Sequence, residues 1–353
     1  MNVSLVLGRW VLPVLAVSFV SYVLPKGEAS AWARGACESL WIDSHLRSDL
    51  ASRAPALDKG LGFLVPNETN NGRLGPKLAQ TPQGLYVTTG TERGLMTSAL
   101  LPENPKGLVL VDRDPKVVFF NLMNRALLSL AKNREDYLAL RLKGTFETVA
   151  ARLKTEGASI SAENNRVLND PSSWRWWKEA VQDSQSWRTF YRDPSQNADR
   201  AYEGANYLFS DRLFARVSEL AKRDAIYVWQ LDMKSNEFKN RLRVIGGKLE
   251  TQVSLFDLSN AWQEGYIGYQ STIGIFAFLE SLIAPKASLV FTYMARDSKG
   301  SRQGESVFEY TVVPRETLRS WDELHSRFVG MDLQDPSRIS YPRTRNPRFN
   351  DDF

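Results

Sequence analysis

The stretch Gly107-Leu-Val-Leu-Val-Asp-Arg-Asp-Pro115 decides the class of fold. Its apolar residues do not alternate with polar ones, so neither side of a strand built from them faces water. That is the situation of a parallel sheet covered by helices on both faces. Pro105 and Gly107 punctuate the start of the run and Asp112 ends it. Upstream, Gly84-Leu-Tyr-Val-Thr-Thr89 is a shorter β-rich run ended by Gly90, and a helix is expected over Gly94 to Leu101. Downstream, strand character returns at Ala225 to Gln230, Thr251 to Phe256, Ala287 to Met294 and Ser306 to Val313.

Helical patterns separate these runs. Val117, Phe120, Leu122, Met123, Leu127, Leu128 and Leu130 form a thick apolar stripe, continued by Tyr137, Leu138, Leu140 and Leu142. Residues 208–222 place Leu213, Phe214, Val217, Leu220 and Ala221 on one face behind Ser210 or Asp211 as N-cap. A further helix fits Thr272 to Ile283, and a last one begins at Pro314, with Leu318, Trp321, Leu324 and Phe328 on one face. Strand, helix, strand order of this kind predicts an α/β fold: a Rossmann-like three-layer sandwich with a mostly parallel sheet. Ser306 to Val313 is expected as an antiparallel edge strand, and residues 117–222 as a large helical insertion after the second strand.

The chain has 353 residues, 43% hydrophobic and 11% aromatic, enough for a substantial core and incompatible with a collagenous, coiled-coil or wholly disordered chain. A net charge of +5 is mild and gives no sign of a nucleic-acid partner. One Cys (Cys37) and two His (His45 and His325) exclude an internal disulfide framework and leave no ligand set for a Cys/His zinc site, so no metal is expected.

Residues 1–31 follow the plan of a cleaved secretory signal: a lone Arg9, a nearly unbroken apolar run from Trp10 to Leu24, then Ala29-Ser30-Ala31. The apolar run, at 1.5 Å per residue, reaches only about 22 Å, short of the roughly 30 Å of a hydrocarbon core. Cleavage is expected after Ala31, with Ala33 as the second choice, and the mature chain is expected in the periplasm or secreted, with no stable membrane span. Cys37 follows Arg34-Gly35-Ala36, which breaks the lipoprotein pattern. The expected organisation is a signal at 1–31, a helical and loop segment at 32–80, the Rossmann-like domain at 81–330 and a loose tail at 331–353.

In an open parallel sheet, ligands sit at the carboxyl ends of the strands. There the sequence places Gly90-Thr91-Glu92-Arg93-Gly94 after the first strand, Asp112 and Asp114 after the second, Asp232 after the third, and Asp257 with Asn260 after the fourth. Gly90, Thr91, Glu92 and Gly94 would bring backbone close to a ligand, Asp112 or Asp114 would accept from ribose hydroxyls, Asp232 would meet a base edge, and Asp257 with Asn260 would face the reacting end. Simpler roles stand beside these. Tight strand-to-helix turns want glycine whatever they bind, acids at strand ends cap the next helix, and buried polar groups need partners. The aromatic cluster Trp174, Trp176, Trp177, Trp187, Phe190 and Tyr191, interleaved with Arg175, Lys178, Arg188 and Arg192, reads as a stacking surface or as the core of a helical subdomain. No Gly-x-Ser-x-Gly elbow and no phosphate-loop Gly-Lys-Ser/Thr motif is present.

The glycine turn, the acid after the second strand and the later Asp-bearing strands resemble the class I S-adenosylmethionine-dependent methyltransferase fold. More narrowly, Tyr207-Leu208 with Leu213-Phe-Ala-Arg-Val217, Ile226-Tyr-Val with Asp232, and Val253-Ser-Leu-Phe-Asp-Leu-Ser-Asn-Ala-Trp262 are similar to an uncharacterised family of bacterial, often exported proteins with a methyltransferase-like Rossmann domain. The resemblance implies S-adenosylmethionine as the cofactor and a transferase. The first turn departs from the methyltransferase pattern, since Val87-Thr-Thr-Gly90-Thr-Glu-Arg-Gly94 lacks its acid and one of its glycines. Two functions follow: an exported methyltransferase-like enzyme binding a nucleoside-like or other polar small ligand at the strand ends, or a non-catalytic exported binding protein with a degenerate S-adenosylmethionine site. In the second, the aromatic insertion contacts a partner or an envelope polymer.

Overall fold

The computed structural model describes residues 54–55, 64, 68, 70–157, 160–184, 187, 202–264, 266–296 and 306–332. The expected signal peptide, the tail beyond residue 332, Cys37, His45, Phe190, Tyr191, Arg188 and Arg192 lie outside them. In chain order the main elements are α1 (Leu74–Lys77), β1 (Leu85–Thr88), α2 (Glu92–Leu100), β2 (Gly107–Asp112) and α3 (Pro115–Leu130). The insertion continues with α4 (Arg134–Lys143), α5 (Phe146–Glu156), α6 (Ala162–Leu168) and α7 (Pro171–Trp177), which runs into a π-helical turn at Lys178–Gln182. The chain closes with α8 (Asp211–Lys222), β3 (Ile226–Gln230), α9 (Asn236–Lys248), β4 (Val253–Asp257), α10 (Tyr269–Leu279), β5 (Ile283–Arg296), β6 (Ser306–Pro314) and α11 (Glu323–Asp332).

The six strands form one sheet in the order β3-β2-β1-β4-β5-β6, the order of the doubly wound dinucleotide folds. All neighbours are parallel except β5 and β6, whose antiparallel register pairs Thr292 with Tyr310. The switch point, where the chain changes its direction of winding, lies between β1 and β4. Alternate strand residues feed two cores, as expected for a period of two. Tyr86, Leu108, Leu110, Leu255 and Val290 join a single cluster with α2, α3, α8 and the insertion. On the other face Trp229 meets Phe238, Phe256 meets Phe276, and Phe291 meets Phe328, all edge-on.

Local signals account for most boundaries. Asp114 accepts from the Lys116 N–H and Pro115 opens α3, while Ser210 accepts from the Leu213 N–H and starts α8. The expected face of α8 is buried throughout. Several elements differ from expectation: α2 begins at Glu92 and α10 at Tyr269, and Ile283, expected at the end of a helix, opens β5, which runs on to Arg296. Helix α9 carries no thick apolar stripe, since Gly246 and Gly247 interrupt it, yet Ser235 caps it and Phe238, Leu242 and Ile245 are buried beneath it. Beyond Pro314 the chain makes only a 3₁₀ turn, Arg315–Thr317, and the helix bearing Leu324 and Phe328 begins at Glu323.

The chain ahead of β1 is stitched to the edge strand β6. Asn70 donates to the Phe308 carbonyl, Lys77 to the Tyr310 carbonyl, and the Tyr310 hydroxyl to Asn71. The first two bonds occupy carbonyls that an edge strand otherwise presents to other chains.

Candidate functional site

The carboxyl ends of β1 and β4 meet at the switch point, and a buried ionic cluster fills the space between them. Arg93, in the first turn of α2, lies 2.8 Å from Asp257 through Nη1 and 2.5 Å from Glu68 through Nε, and Nη2 donates to Thr292 at 3.1 Å. Its guanidinium also sits 5.5 Å from the Tyr310 ring centroid. Asp257 is fully buried and accepts from the Tyr86 hydroxyl at 3.0 Å and from the Ser259 N–H at 2.9 Å. Glu68 accepts from the Ser259 hydroxyl.

Burial sets the electrostatics. Desolvation raises the Glu68 carboxyl above its ordinary value and Asp257 adds to this, against the opposing pull of Arg93 and Ser259. Desolvation also works against the Arg93 charge, but Asp257 and Glu68 outweigh it and hold the guanidinium ionised. The Tyr86 hydroxyl is pushed up by burial and by the Asp257 charge.

A second buried pair lies on the insertion side of α2. Glu92 and Arg141 are both fully buried, with Oε1 and Nη1 2.5 Å apart. Tyr207 donates to the other Glu92 oxygen and Asn124 to the first, and Tyr137 joins through Asn124. Phe120, Trp177 and Trp187 surround the Arg141 guanidinium at 4.7 to 5.6 Å. Trp174, Trp176, Trp177 and Trp187 are all buried, so these aromatic residues of the insertion are its core.

The remaining predicted residues serve the turns around them. Asp112 accepts from the Thr89 hydroxyl, the Gly90 N–H and the Asp114 N–H, and burial raises its carboxyl against those three donors. Asp114 caps α3. Thr91 donates to the Leu64 carbonyl. Gly94 allows α2 to approach β1, since a Cβ there would come 2.5 Å from Thr88 Cγ2. Gly90 has φ +85° with open space where its Cβ would stand, and Asn121 donates to its carbonyl. Asp232 accepts from the Lys234 N–H and faces exposed Arg113 at 4.0 Å.

The tertiary structure thus brings Asp257 and Asn260 together with Glu68, Arg93 and Tyr86, which the sequence did not single out. It sends Glu92 to the opposite side of α2. The available signal was the charged pair Glu92-Arg93 heading an otherwise uncharged helix, and Arg141 on an apolar stripe. Glu68 carries no such mark in the polar run Asn67-Glu-Thr-Asn-Asn71. These residues do not fit a methyl donor: the acids that would hold it already bind guanidinium, tyrosine and backbone groups of the chain. At the opposite, amino ends of β1 and β4, a half-open cavity of about 320 Å³ is lined mainly by apolar groups, among them Leu85, Leu242, Gly246 and Leu282. Among the described residues no cluster of His, Cys, Asp and Glu could hold a metal ion, and no helix is long and apolar enough to cross a membrane.

A family model described as a domain of unknown function, DUF7790, matches residues 63–335. No curated protein matches the chain. Among solved structures the chain is similar to the rRNA methyltransferase aviRa from Streptomyces viridochromogenes. That similarity stands at 13% identity over 73% of this chain and 91% of the other, with a TM-score of 0.30.

Proposed function

The chain belongs to the DUF7790 family, and from the way its strand-end acids are used we propose that it is an exported, non-catalytic binding protein on a methyltransferase-like fold. The observation that carries this is the Glu68–Arg93–Asp257 cluster at the switch point. A ligand crevice needs acceptors and donors free to meet a ligand, and here they meet one another. Removing one member of a buried ion pair costs about 3–5 kcal/mol, so a ligand that took Asp257 from Arg93 would have to offset a penalty of that order. The signal-like residues 1–31 support export, and a methyl donor made in the cytosol is not expected beyond the inner membrane.

Partner contact through the insertion would be polar. Its described tryptophans face inward, while Lys143, Lys154, Arg166, Arg175 and Lys178 lie with Glu147 and Glu179 on its exposed surface. A second reading, a polar small ligand at Gly90 and Asp112, is favoured by the open space over Gly90 and by the buried Asn121 Oδ1, which has no hydrogen-bond partner. Calorimetry with S-adenosylmethionine and S-adenosylhomocysteine on the mature protein separates the two. No heat at high micromolar ligand is expected, and saturable heat lost on Asp112→Ala substitution would establish the second reading instead.

A further inference from the structure

Glu68 is held in the manner of a bound ligand. Its carboxylate reaches the switch point from outside the sheet and meets groups of two separate elements: the Arg93 cation at the start of α2, 2.5 Å away through Nε, and the Ser259 hydroxyl, which donates to it, in the turn after β4. These groups are fixed independently of Glu68. Asp257 and Thr292 hold the other two guanidinium nitrogens, at 2.8 and 3.1 Å. Ser259 is held at φ +54° by its own N–H on Asp257 and by its carbonyl, which accepts from the Thr292 N–H at 2.8 Å. Arg93 and Glu68 are each about 95% buried at the side chain, where water and salt screen an ion pair least.

We propose that the Arg93 guanidinium and the Ser259 hydroxyl form a carboxylate-binding subsite in which Glu68 is the resident occupant, and that a monocarboxylate is the ligand class it accepts when Glu68 is withdrawn. This rests on the reading that the chain fills its own crevice. Charge selects the class. Asp257 already balances the Arg93 cation, so the site holds one further negative charge beside Arg93 and the Ser259 hydroxyl, whereas a phosphate dianion would bring two charges against Asp257. An occupant on the same chain also outcompetes a dilute free ligand, because its effective concentration is on the order of millimolar.

The test is chemical rescue of Glu68→Ala in the full chain, followed by thermal melting in formate, acetate, phosphate or chloride at fixed ionic strength and pH 7. Formate and acetate are expected to raise the melting temperature of Glu68→Ala saturably and phosphate to do so less, with the parent unchanged. Adding Ser259→Ala should move the formate midpoint at least tenfold higher. Equal melting of Glu68→Ala in formate and chloride, or a response that survives Ser259→Ala undiminished, overturns the proposal. If Glu68→Ala does not fold in chloride, refolding yield becomes the readout: restoration by formate supports the subsite and failure in both salts overturns it. Heat from S-adenosylmethionine would defeat the non-catalytic reading while leaving this rescue intact, so the two failures are distinguishable.

Discussion

Arg93 and Asp257, separated by 164 positions in the chain, lie 2.8 Å apart at the switch point with almost no solvent access to either. The pair joins the first helix after β1 to the end of β4, the two elements that border the crevice of this type of sheet. Asp257→Asn combined with Glu68→Gln removes both counter-charges while keeping their shapes, leaving Arg93 buried without a partner. A loss of about 3–5 kcal/mol is expected, read from urea unfolding. A loss under about 1 kcal/mol, the range of exposed pairs, would show that the pair does not hold the crevice shut.

Arg141→Met should behave similarly. The methionine fills much of the space among Phe120, Trp177 and Trp187, but Glu92 is left buried without its cation. The single variant is expected to lose about 3–5 kcal/mol, and adding Glu92→Gln should recover much of that. A double-mutant cycle on denaturant unfolding measures the coupling, and additive losses would contradict a direct pair.

Glu68 gives the stability a pH dependence. Its carboxyl is raised in the folded chain, mainly by burial, so the folded state holds the proton more tightly than the unfolded one. The associated stability is complete below the ordinary glutamate value of 4.5 and falls as pH rises through the raised value. Glu68→Gln, which cannot titrate, should therefore gain on the parent as pH rises above about 4.5. Melting curves from pH 4 to 8 test this, and parallel curves for the two proteins would refute it.

The two glycines of the first turn should respond differently to alanine. At Gly94 the new Cβ would stand 2.5 Å from Thr88 Cγ2 and 3.0 Å from Leu110 Cδ2, so overpacking of about 1–3 kcal/mol is expected. At Gly90 there is open space, and the cost comes from φ +85° alone, about 1–2 kcal/mol. The Gly94→Ala loss should fall when Thr88 is cut to Ser, and the Gly90→Ala loss should not. Denaturant midpoints decide, and equal relief at both positions would be inconsistent with the packing account.

Export makes a covalent prediction. If residues 1–31 are a cleaved signal, protein recovered from the cell envelope or medium begins at Trp32, as read by N-terminal sequencing or intact mass. An N-terminus at Met1 in that fraction would argue for an anchor.

The sheet was legible because burial on both faces leaves a local trace: Leu108 to Val111 are apolar without alternation, and Gly107, Gly90 and Asp114 punctuate the ends. Ser210 and Asp114 were readable as caps because a cap is a bond between near neighbours. Helix α9 was not legible, because Gly246-Gly247 weakens its pattern and its apolar residues gain meaning only against Trp229 on the sheet.

The sequence by itself determined that strand-end acids would gather along one edge of a parallel sheet, since period and order fix which end of each strand carries them. Which of them remain open to a ligand was decided only in three dimensions. A carboxylate's chemistry depends on the charge beside it, and for Asp257 and Glu92 that charge comes from Arg93 and Arg141, brought into contact by packing of elements whose sequence separation carries no record of the meeting.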